Sequence, residues 1–68
     1  MSKTFKMVHL VGTSGTSYED AIRNAVRDAS RSLHGLAWFE VQEMRGRIAE
    51  GEVTEYQVKI QVGFKVDD

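Results

Sequence analysis

Two side chains in the second half of the sequence could together recognise a flat aromatic ligand. Trp38, the only tryptophan, stands next to Phe39. Consecutive residues of a β-strand point to opposite faces, so one of these rings faces away from the core, where an indole could stack on a ligand. Gln57 both donates and accepts hydrogen bonds and could bind the polar edge of that ligand. The residues leave open a second interpretation, in which Trp38 anchors an interface between subunits.

Other groups of reactive side chains have simpler structural explanations. The run from Gly12 to Ser17 resembles a phosphate-binding loop before a helix, but it lacks the lysine and the spacing of a Walker loop. His9 and His34 lie on different predicted elements in a chain without cysteine, which argues against a protein metal site. The sequence leaves open whether a cation is held on a symmetry axis or by ligand phosphates. The serines suit turns, caps and helix surfaces, so no nucleophilic catalysis is predicted.

Size and composition limit the class of protein. The chain has 68 residues, no cysteine, a net charge of −1, and is 41% hydrophobic. A domain this small is marginal as a monomer, and without disulfides or zinc ligands it is expected to self-assemble. The charge argues against a nucleic-acid partner. No apolar run approaches the ~20 residues of a membrane span, so we expect one soluble, cytoplasmic domain over residues 1–68.

The elements that must position these residues begin with a strand and a helix. Residues 3–11 are apolar and β-tending and predict the first strand. A turn over residues 12–17 follows, in which Ser17 is the predicted N-cap of a helix. Apolar residues at helical spacing predict that helix over residues 18–34, and Gly35 suits the position after its end. Two helix-spaced ion pairs are predicted on its polar face: Glu19 with Arg23, and Asp28 with Arg31.

The second half of the sequence predicts a β-hairpin. One strand covers residues 36–48, a turn covers 49–52, and the last strand covers 53–66, with apolar residues at even positions facing the helix. The fold class is therefore α+β, in the order β-α-β-β, with a three-stranded antiparallel sheet partly wrapped around one helix. The first hairpin strand spans about 40 Å but the helix only about 25 Å. The hairpin must therefore curl around the helix, project beyond it, or be covered by another copy. The acidic end, Asp67-Asp68, is expected to be disordered.

Alternation in the second strand predicts which side chains face the helix. Phe39 shares one face with Ala37 and Val41, and we expect it to fasten the sheet to the helix. The opposite, outer face then carries Leu36, Trp38, Glu40, Gln42 and Met44. Gln57 lies on the same outer face of the last strand, so the indole and the amide are expected to lie near each other. Arg45 has the parity of Phe39 and should point inward, unless it lies past the helix end or a bulge at Gly46 re-aims it.

Several short runs together resemble the dodecins, and the resemblance covers essentially the whole chain. The runs are Val11-Gly12-Thr13-Ser14, Trp38-Phe39-Glu40-Val41 followed by Arg45-Gly46, and Tyr56-Gln57-Val58 followed by Val62-Gly63-Phe64. The Trp-Phe-Glu-Val and Arg-Gly runs are similar to those of the bacterial branch. The resemblance implies a non-enzymatic, flavin-binding protein that assembles as a hollow homododecamer.

The resemblance also implies which residues contact the ligand. The flavin, FMN or riboflavin, would lie between subunits, with its ring on Trp38 and its pyrimidine edge on Gln57. Lys3, Arg45 and Lys65 stand at positions that are often basic and are candidates for phosphate groups, although arginine is commoner at position 65. Coenzyme A is associated with some members. A frequent aspartate of the family is replaced by alanine at position 37, which removes any role of that carboxylate.

The leading hypothesis is storage and photoprotective sequestration of a flavin, with no membrane, metal or nucleic-acid partner. Electron transfer from Trp38 should quench the excited flavin. The alternatives are a homo-oligomeric structural module in which Trp38 only joins subunits, and a coenzyme A-binding assembly. A small flavin enzyme is disfavoured because nothing near Trp38 resembles an acid–base pair.

Overall fold

The structure, a computed structural model, describes residues 3–66 and has the predicted element order. The elements are β1 (Phe5–Ser14), α1 (Tyr18–Ala29), β2 (Leu36–Ala49) and β3 (Glu52–Lys65). The α+β class and the order β-α-β-β are confirmed. The acidic end, Asp67-Asp68, lies outside the described residues. Within residues 3–66, no helix is long and apolar enough to cross a membrane.

The last strand is the centre of the sheet. The three strands are antiparallel in the order β1-β3-β2, with α1 against one face. Val58, Ile60 and Val62 of β3 are at most 2% exposed and pack against alanines of α1, as the even positions predicted. Alanine is small, so the helix backbone approaches the sheet closely. We call the helix-side face of the sheet the inner face and the opposite one the outer face.

Gly12 makes that close approach possible. A Cβ at position 12 would lie 2.9 Å from the Cβ of Ala25 and would also strike the carbonyl group of Ala21. The predicted turn over residues 12–17 is wrong for residues 12–14, because β1 continues and Ser14 pairs with Tyr56 of β3. Gly12 therefore lies within β1, where its lack of a side chain lets α1 pack against the strand.

Serine hydroxyls close both ends of α1. The predicted N-cap is confirmed, since the Oγ of Ser17 accepts a hydrogen bond from the N–H of Asp20 at 3.0 Å. Buried Ser14 supports this turn by donating to the carboxylate of Asp20 at 2.7 Å. The helix ends at Ala29 and not at residue 34 as predicted. Ser30 donates through its Oγ to the carbonyl of Arg27, a local bond of the kind that competes with helix continuation.

The exposed face of the helix and the connection after it also follow the sequence pattern. The ion pairs of Glu19 with Arg23 and of Asp28 with Arg31 are confirmed, each at 3.6 Å between highly exposed side chains. Gly35 has a φ of 73°, the left-handed conformation expected of glycine. It follows a short turn rather than the helix itself, because the helix ends earlier.

The β2–β3 hairpin extends beyond the helix. Its turn lies at Glu50-Gly51, whose φ values of 53° and 78° suit a tight hairpin connection. The molecule measures 55 × 20 × 13 Å, and α1 packs mainly over β1 and β3. Phe39 lies opposite Val62 on the predicted face, yet it is 47% exposed. The expectation that Phe39 fastens the sheet to the helix is wrong, because β3 and not Phe39 supplies the buried side chains that pack against the helix.

Candidate functional site

Trp38 lies on the outer face, as predicted, because the next residue, Phe39, pairs with Val62 on the inner face, and a bulge at Ala37 separates it from Leu36. Leu36 pairs with Phe64 and Trp38 pairs with the adjacent Gly63, so Ala37 is an extra residue in β2. The extra residue reverses the alternation. Leu36 therefore packs against the core, and its predicted place beside Trp38 on the outer face is wrong.

The indole of Trp38 lies across Gly63 on the central strand. A Cβ on Gly63 would be 2.6 Å from the Cη2 and Cζ2 atoms of the ring. The ring of Phe5 meets the indole edge to face, with centroids 5.0 Å apart and an interplanar angle of 69°. The indole Nε1 donates to Glu40 Oε2 at 3.2 Å. These three contacts orient the ring and leave it 40% exposed. We call its outward side the indole platform.

Arg45 also points to the outer face, through a second bulge. Val41 pairs with Ile60 and Glu43 with Lys59, so Gln42 is the extra residue. After it, Met44 pairs with buried Val58 on the inner face and Arg45 pairs with Gln57 on the outer face. The bulge that re-aims Arg45 therefore lies at Gln42 and not at Gly46. The prediction that Met44 shares the face of Trp38 is wrong for the same reason.

Gln57 stands in the middle of a row of charged side chains on the outer face. We call this group the polar row: Glu43, Arg45, Arg47, Glu55 and Gln57. Arg45 Nε donates to Gln57 Oε1 at 2.8 Å, and Gln57 Nε2 donates to Glu55 Oε1 at 2.7 Å. Glu43 pairs with Arg45 at 3.0 Å and Arg47 with Glu55 at 3.6 Å. A guanidinium only donates and a carboxylate only accepts, so the amide has one orientation, with one N–H and one acceptor position still free.

The indole platform and the polar row do not meet within one chain. Trp38 pairs with Gly63, and Gln57 lies six positions earlier on the same strand. At ~3.3 Å per residue this separation is about 20 Å. The expectation that the indole and the amide lie near each other is therefore wrong for a single chain. A single aromatic ring system is too short to span this separation, so it can contact both side chains only if it lies between two copies.

The remaining predicted site residues divide between these two regions. Lys65 pairs with Phe5, at the end of the sheet that carries Trp38. Lys3 precedes β1 at the same end, where the N–H of Val66 donates to the carbonyl of Thr4. Both lysines are exposed. Arg45 stands with Gln57, so the structure brings Lys3 and Lys65 towards the indole and keeps Arg45 with the amide.

Sequence reasoning missed the residues that orient the indole and the amide. Phe5 and Gly63 hold the ring of Trp38, while Glu55 holds the amide of Gln57. One sequence feature pointed to Gly63: it is a glycine among the odd positions 55–65 of β3, where the other odd positions carry polar side chains. Nothing in the sequence indicated Phe5, because its contact with Trp38 depends on the pairing of both strands with β3.

The described part of the chain, residues 3–66, has its possible metal ligands scattered. It contains no group of three or more His, Cys, Asp or Glu side chains that could hold a metal ion. The two histidines lie apart, and His9 contacts the amide of Gln61 at 3.1 Å. The site chemistry is therefore that of an aromatic surface and a hydrogen-bonding amide.

Comparison with known proteins identifies sequence relatives over the whole chain. The model of the family described as Dodecin matches residues 4–67. The chain is 48% identical over 68 residues to the dodecin of Thermus thermophilus, which covers 100% of this chain and 99% of that protein. It is 33% identical over 63 residues to the calcium dodecin of Mycobacterium tuberculosis, which covers 91% of this chain and 87% of that protein.

The fold is similar to solved dodecin structures. The dodecin from Streptomyces davaonensis superposes with a TM-score of 0.96 and 41% identity, covering 100% of both chains. The calcium dodecin of Mycobacterium tuberculosis, described with a novel calcium-binding site, superposes with a TM-score of 0.82 and 31% identity. That comparison covers 94% of this chain and 91% of the relative. The similarity therefore includes the helix and all three strands.

Proposed function

The chain belongs to the dodecin family, and on this basis we propose that it binds FMN or riboflavin and stores it in a homododecamer without catalytic turnover. Proteins of this family bind small molecules and assemble as oligomers. The observation that carries the choice of a flavin is the indole platform. A ring held flat against the sheet and 40% exposed offers a stacking surface to a planar aromatic ligand.

The oriented amide of Gln57 supplies the second contact. Arg45 and Glu55 use one acceptor position and one N–H of this amide, so its second N–H and its second acceptor position can pair with a ligand. A donor next to an acceptor complements the imide edge of an isoalloxazine, which presents an N–H between two carbonyls. Since Gln57 is about 20 Å from Trp38 along the strand, the two contacts come from different copies of the chain.

Uncovered apolar side chains support self-assembly. The inner face of β2 and the hairpin end expose large hydrophobic residues that α1 does not reach: Phe39, Val41, Met44, Ile48 and Val53. Ile48 is 73% exposed. A continuous apolar surface of this kind is typical of a protein–protein interface. We therefore place other copies of the chain on this face and the ligand on the outer face.

Basic residues near the indole platform favour FMN over riboflavin. Lys3 and Lys65 are exposed at the end of the sheet that carries Trp38, where a ribityl phosphate could pair with their ammonium groups. Arg45 stands among acidic residues and Gln57, so we propose that it orients the amide. Coenzyme A, an aromatic and phosphorylated ligand like FMN, is the second candidate.

Photoprotection follows from the proposed stacking. The indole is the most electron-rich ring in the chain, and stacking brings it into contact with the isoalloxazine. When light excites the bound flavin, an electron passes from Trp38 and then returns, so the excitation is lost as heat. The proposed role is storage and protection.

Fluorescence titration with the variant Trp38→Ala tests the proposal. We expect the native protein to quench FMN fluorescence, and Trp38→Ala to weaken FMN binding by about 10- to 100-fold, because a stacked aromatic anchor contributes about 2 kcal/mol. Arg31→Gln, on the exposed side of the connection after α1, is the matched control. Sedimentation velocity should give the same particle mass for all three proteins.

Two results would contradict flavin storage. If the native protein does not quench FMN and Trp38→Ala dissociates the particle, then Trp38 is a subunit anchor in a structural module. If coenzyme A binds tightly while FMN does not, then the ligand is coenzyme A. Calcium, named for the relative from Mycobacterium tuberculosis, is not part of the proposal, because residues 3–66 hold no suitable cluster of ligands.

A further inference from the structure

We propose that Gly63 is a positioning residue for the ligand, because its missing side chain is what allows the indole of Trp38 to lie against the central strand. This inference rests on the proposed function for its effect on flavin binding. Its effect on the indole itself is independent of any ligand. Gly63 does not touch the ligand and acts only through the position of the ring.

The space above Gly63 is filled by the indole. A Cβ at this position would lie 2.6 Å from Cη2 and Cζ2 and 2.7 Å from Cε2 of Trp38. Carbon atoms in contact are about 3.5–4.0 Å apart, so an alanine would push the ring outward by about 1 Å. Any residue other than glycine is therefore incompatible with the observed ring position.

The ring cannot move aside without losing its other contacts. The edge of the indole is against Phe5, with centroids 5.0 Å apart, and its Nε1 donates to Glu40. Both partners belong to the strands that flank β3, so they hold the indole across the strand from two sides. An outward shift would lengthen the hydrogen bond to Glu40 or separate the indole from Phe5.

A glycine in the middle of a central strand calls for a specific reason. Glycine weakens a strand, and it often marks a place where another group must approach the backbone closely. Here the other odd positions of β3 from 55 to 65 carry long polar side chains: Glu55, Gln57, Lys59, Gln61 and Lys65. Only at Gly63 does the outer face have room for a ring to lie on the backbone.

The contact has a consequence for the ligand. Because the strand closes one side of the indole, only the indole platform is open for stacking. The height of the ring above the sheet then sets the distance from this platform to the Gln57 amide of the copy that completes the proposed site. Moving the ring outward would narrow that space and displace the ligand edge from the amide.

The variant Gly63→Ala tests the inference, with Gly15→Ala as its matched control. A Cβ at Gly15 would meet no atom within 4 Å, so the same change there has no steric effect. We expect Gly63→Ala to alter the tryptophan emission and the near-ultraviolet circular dichroism of the ligand-free protein. It should weaken FMN binding by about tenfold or more, the loss that follows from a disrupted aromatic stack. Gly15→Ala should match the native protein in both measurements.

The Trp38→Ala variant distinguishes a role of Gly63 in positioning the indole from a need for glycine in the strand itself. In this variant the indole is absent, so adding Gly63→Ala should not lower the melting temperature. If Gly63→Ala lowers the melting temperature equally in both backgrounds, or if only the double variant fails to fold, the inference is wrong. Ligand-free spectra identical to those of Gly15→Ala would also overturn it. If the native protein does not bind FMN, the proposed function fails, but the ligand-free spectra and the double variant still test Gly63.

Discussion

At the scale of single residues, the candidate site depends on side chains that orient other side chains. Trp38 is held by Phe5, Glu40 and Gly63, and Gln57 is held between Arg45 and Glu55. A ring and an amide whose directions are already set lose little conformational freedom when a ligand binds. The proposed binding surface is therefore preorganised on β-strands rather than on loops.

Arg45→Ala should weaken flavin binding by releasing the amide of Gln57. The lost charge-assisted hydrogen bond corresponds to about 1.5 kcal/mol, roughly a tenfold loss of affinity. The measurement is a parallel titration with FMN and riboflavin, and Arg23→Ala, whose guanidinium pairs with Glu19 on the exposed face of the helix, is the control. If Arg45 acts through Gln57, both flavins lose affinity equally. A loss confined to FMN would show that Arg45 binds the phosphate instead.

At the scale of elements, the helix and the sheet fit together because both present small residues where they meet. Ala21 and Ala25 of α1 are buried beside β1, because Gly12 has no Cβ that would contact them. The hydroxyls of Ser14 and Ser17 then secure the start of the helix. The spacing between α1 and the sheet is thus set by glycine and alanine, and a single added methyl group disturbs it.

Gly12→Ala should destabilise the fold. The new Cβ would strike Ala21 and Ala25, and overpacking of this kind lowers the free energy of unfolding by about 1–3 kcal/mol. Chemical denaturation, measured at one fixed protomer concentration, gives this change. Gly15→Ala is again the control, because its site is open. Equal midpoints for the two variants would mean that the helix can shift to accept the methyl group.

At the scale of the whole molecule, one chain leaves apolar surface uncovered that we propose other copies cover. The hairpin extends past α1, and its inner face exposes Phe39, Met44 and Ile48. The outer face separates Trp38 from Gln57 by about 20 Å. Both observations support the proposed contact with further copies of the chain.

Ile48→Asp should break the assembly. A carboxylate placed in an apolar interface loses its hydration without gaining a partner, which costs several kcal/mol per subunit contact. Light scattering coupled to size-exclusion chromatography should show a lower mass, and FMN binding should be lost with it. Ser32→Asp, on the exposed turn after α1, is the control. An unchanged mass for Ile48→Asp would place the interface elsewhere.

Features that depend on the spacing of apolar and polar residues along the chain were determined by the sequence itself. The order β-α-β-β, the Ser17 cap, the buried even positions of β3 and the outward direction of Trp38 are each confirmed. They follow from the two-residue repeat of a strand, the 3.6-residue repeat of a helix and the chemistry of a cap. These rules involve neighbouring residues, so a single sequence carries them.

Only the tertiary structure decided which distant residues meet. The bulges at Ala37 and Gln42 turned Leu36 and Met44 inward and Arg45 outward. Each extra residue reverses the alternation of side chains, which the prediction from sequence took to be regular along the whole strand. The central position of β3 left Phe39 half exposed, and pairing across β3 placed Trp38 on Gly63 and Phe5. Strand order and register arise from contacts between residues far apart in the chain. The sequence therefore identified Trp38 and Gln57 as candidates, but only the register showed that one chain holds them apart.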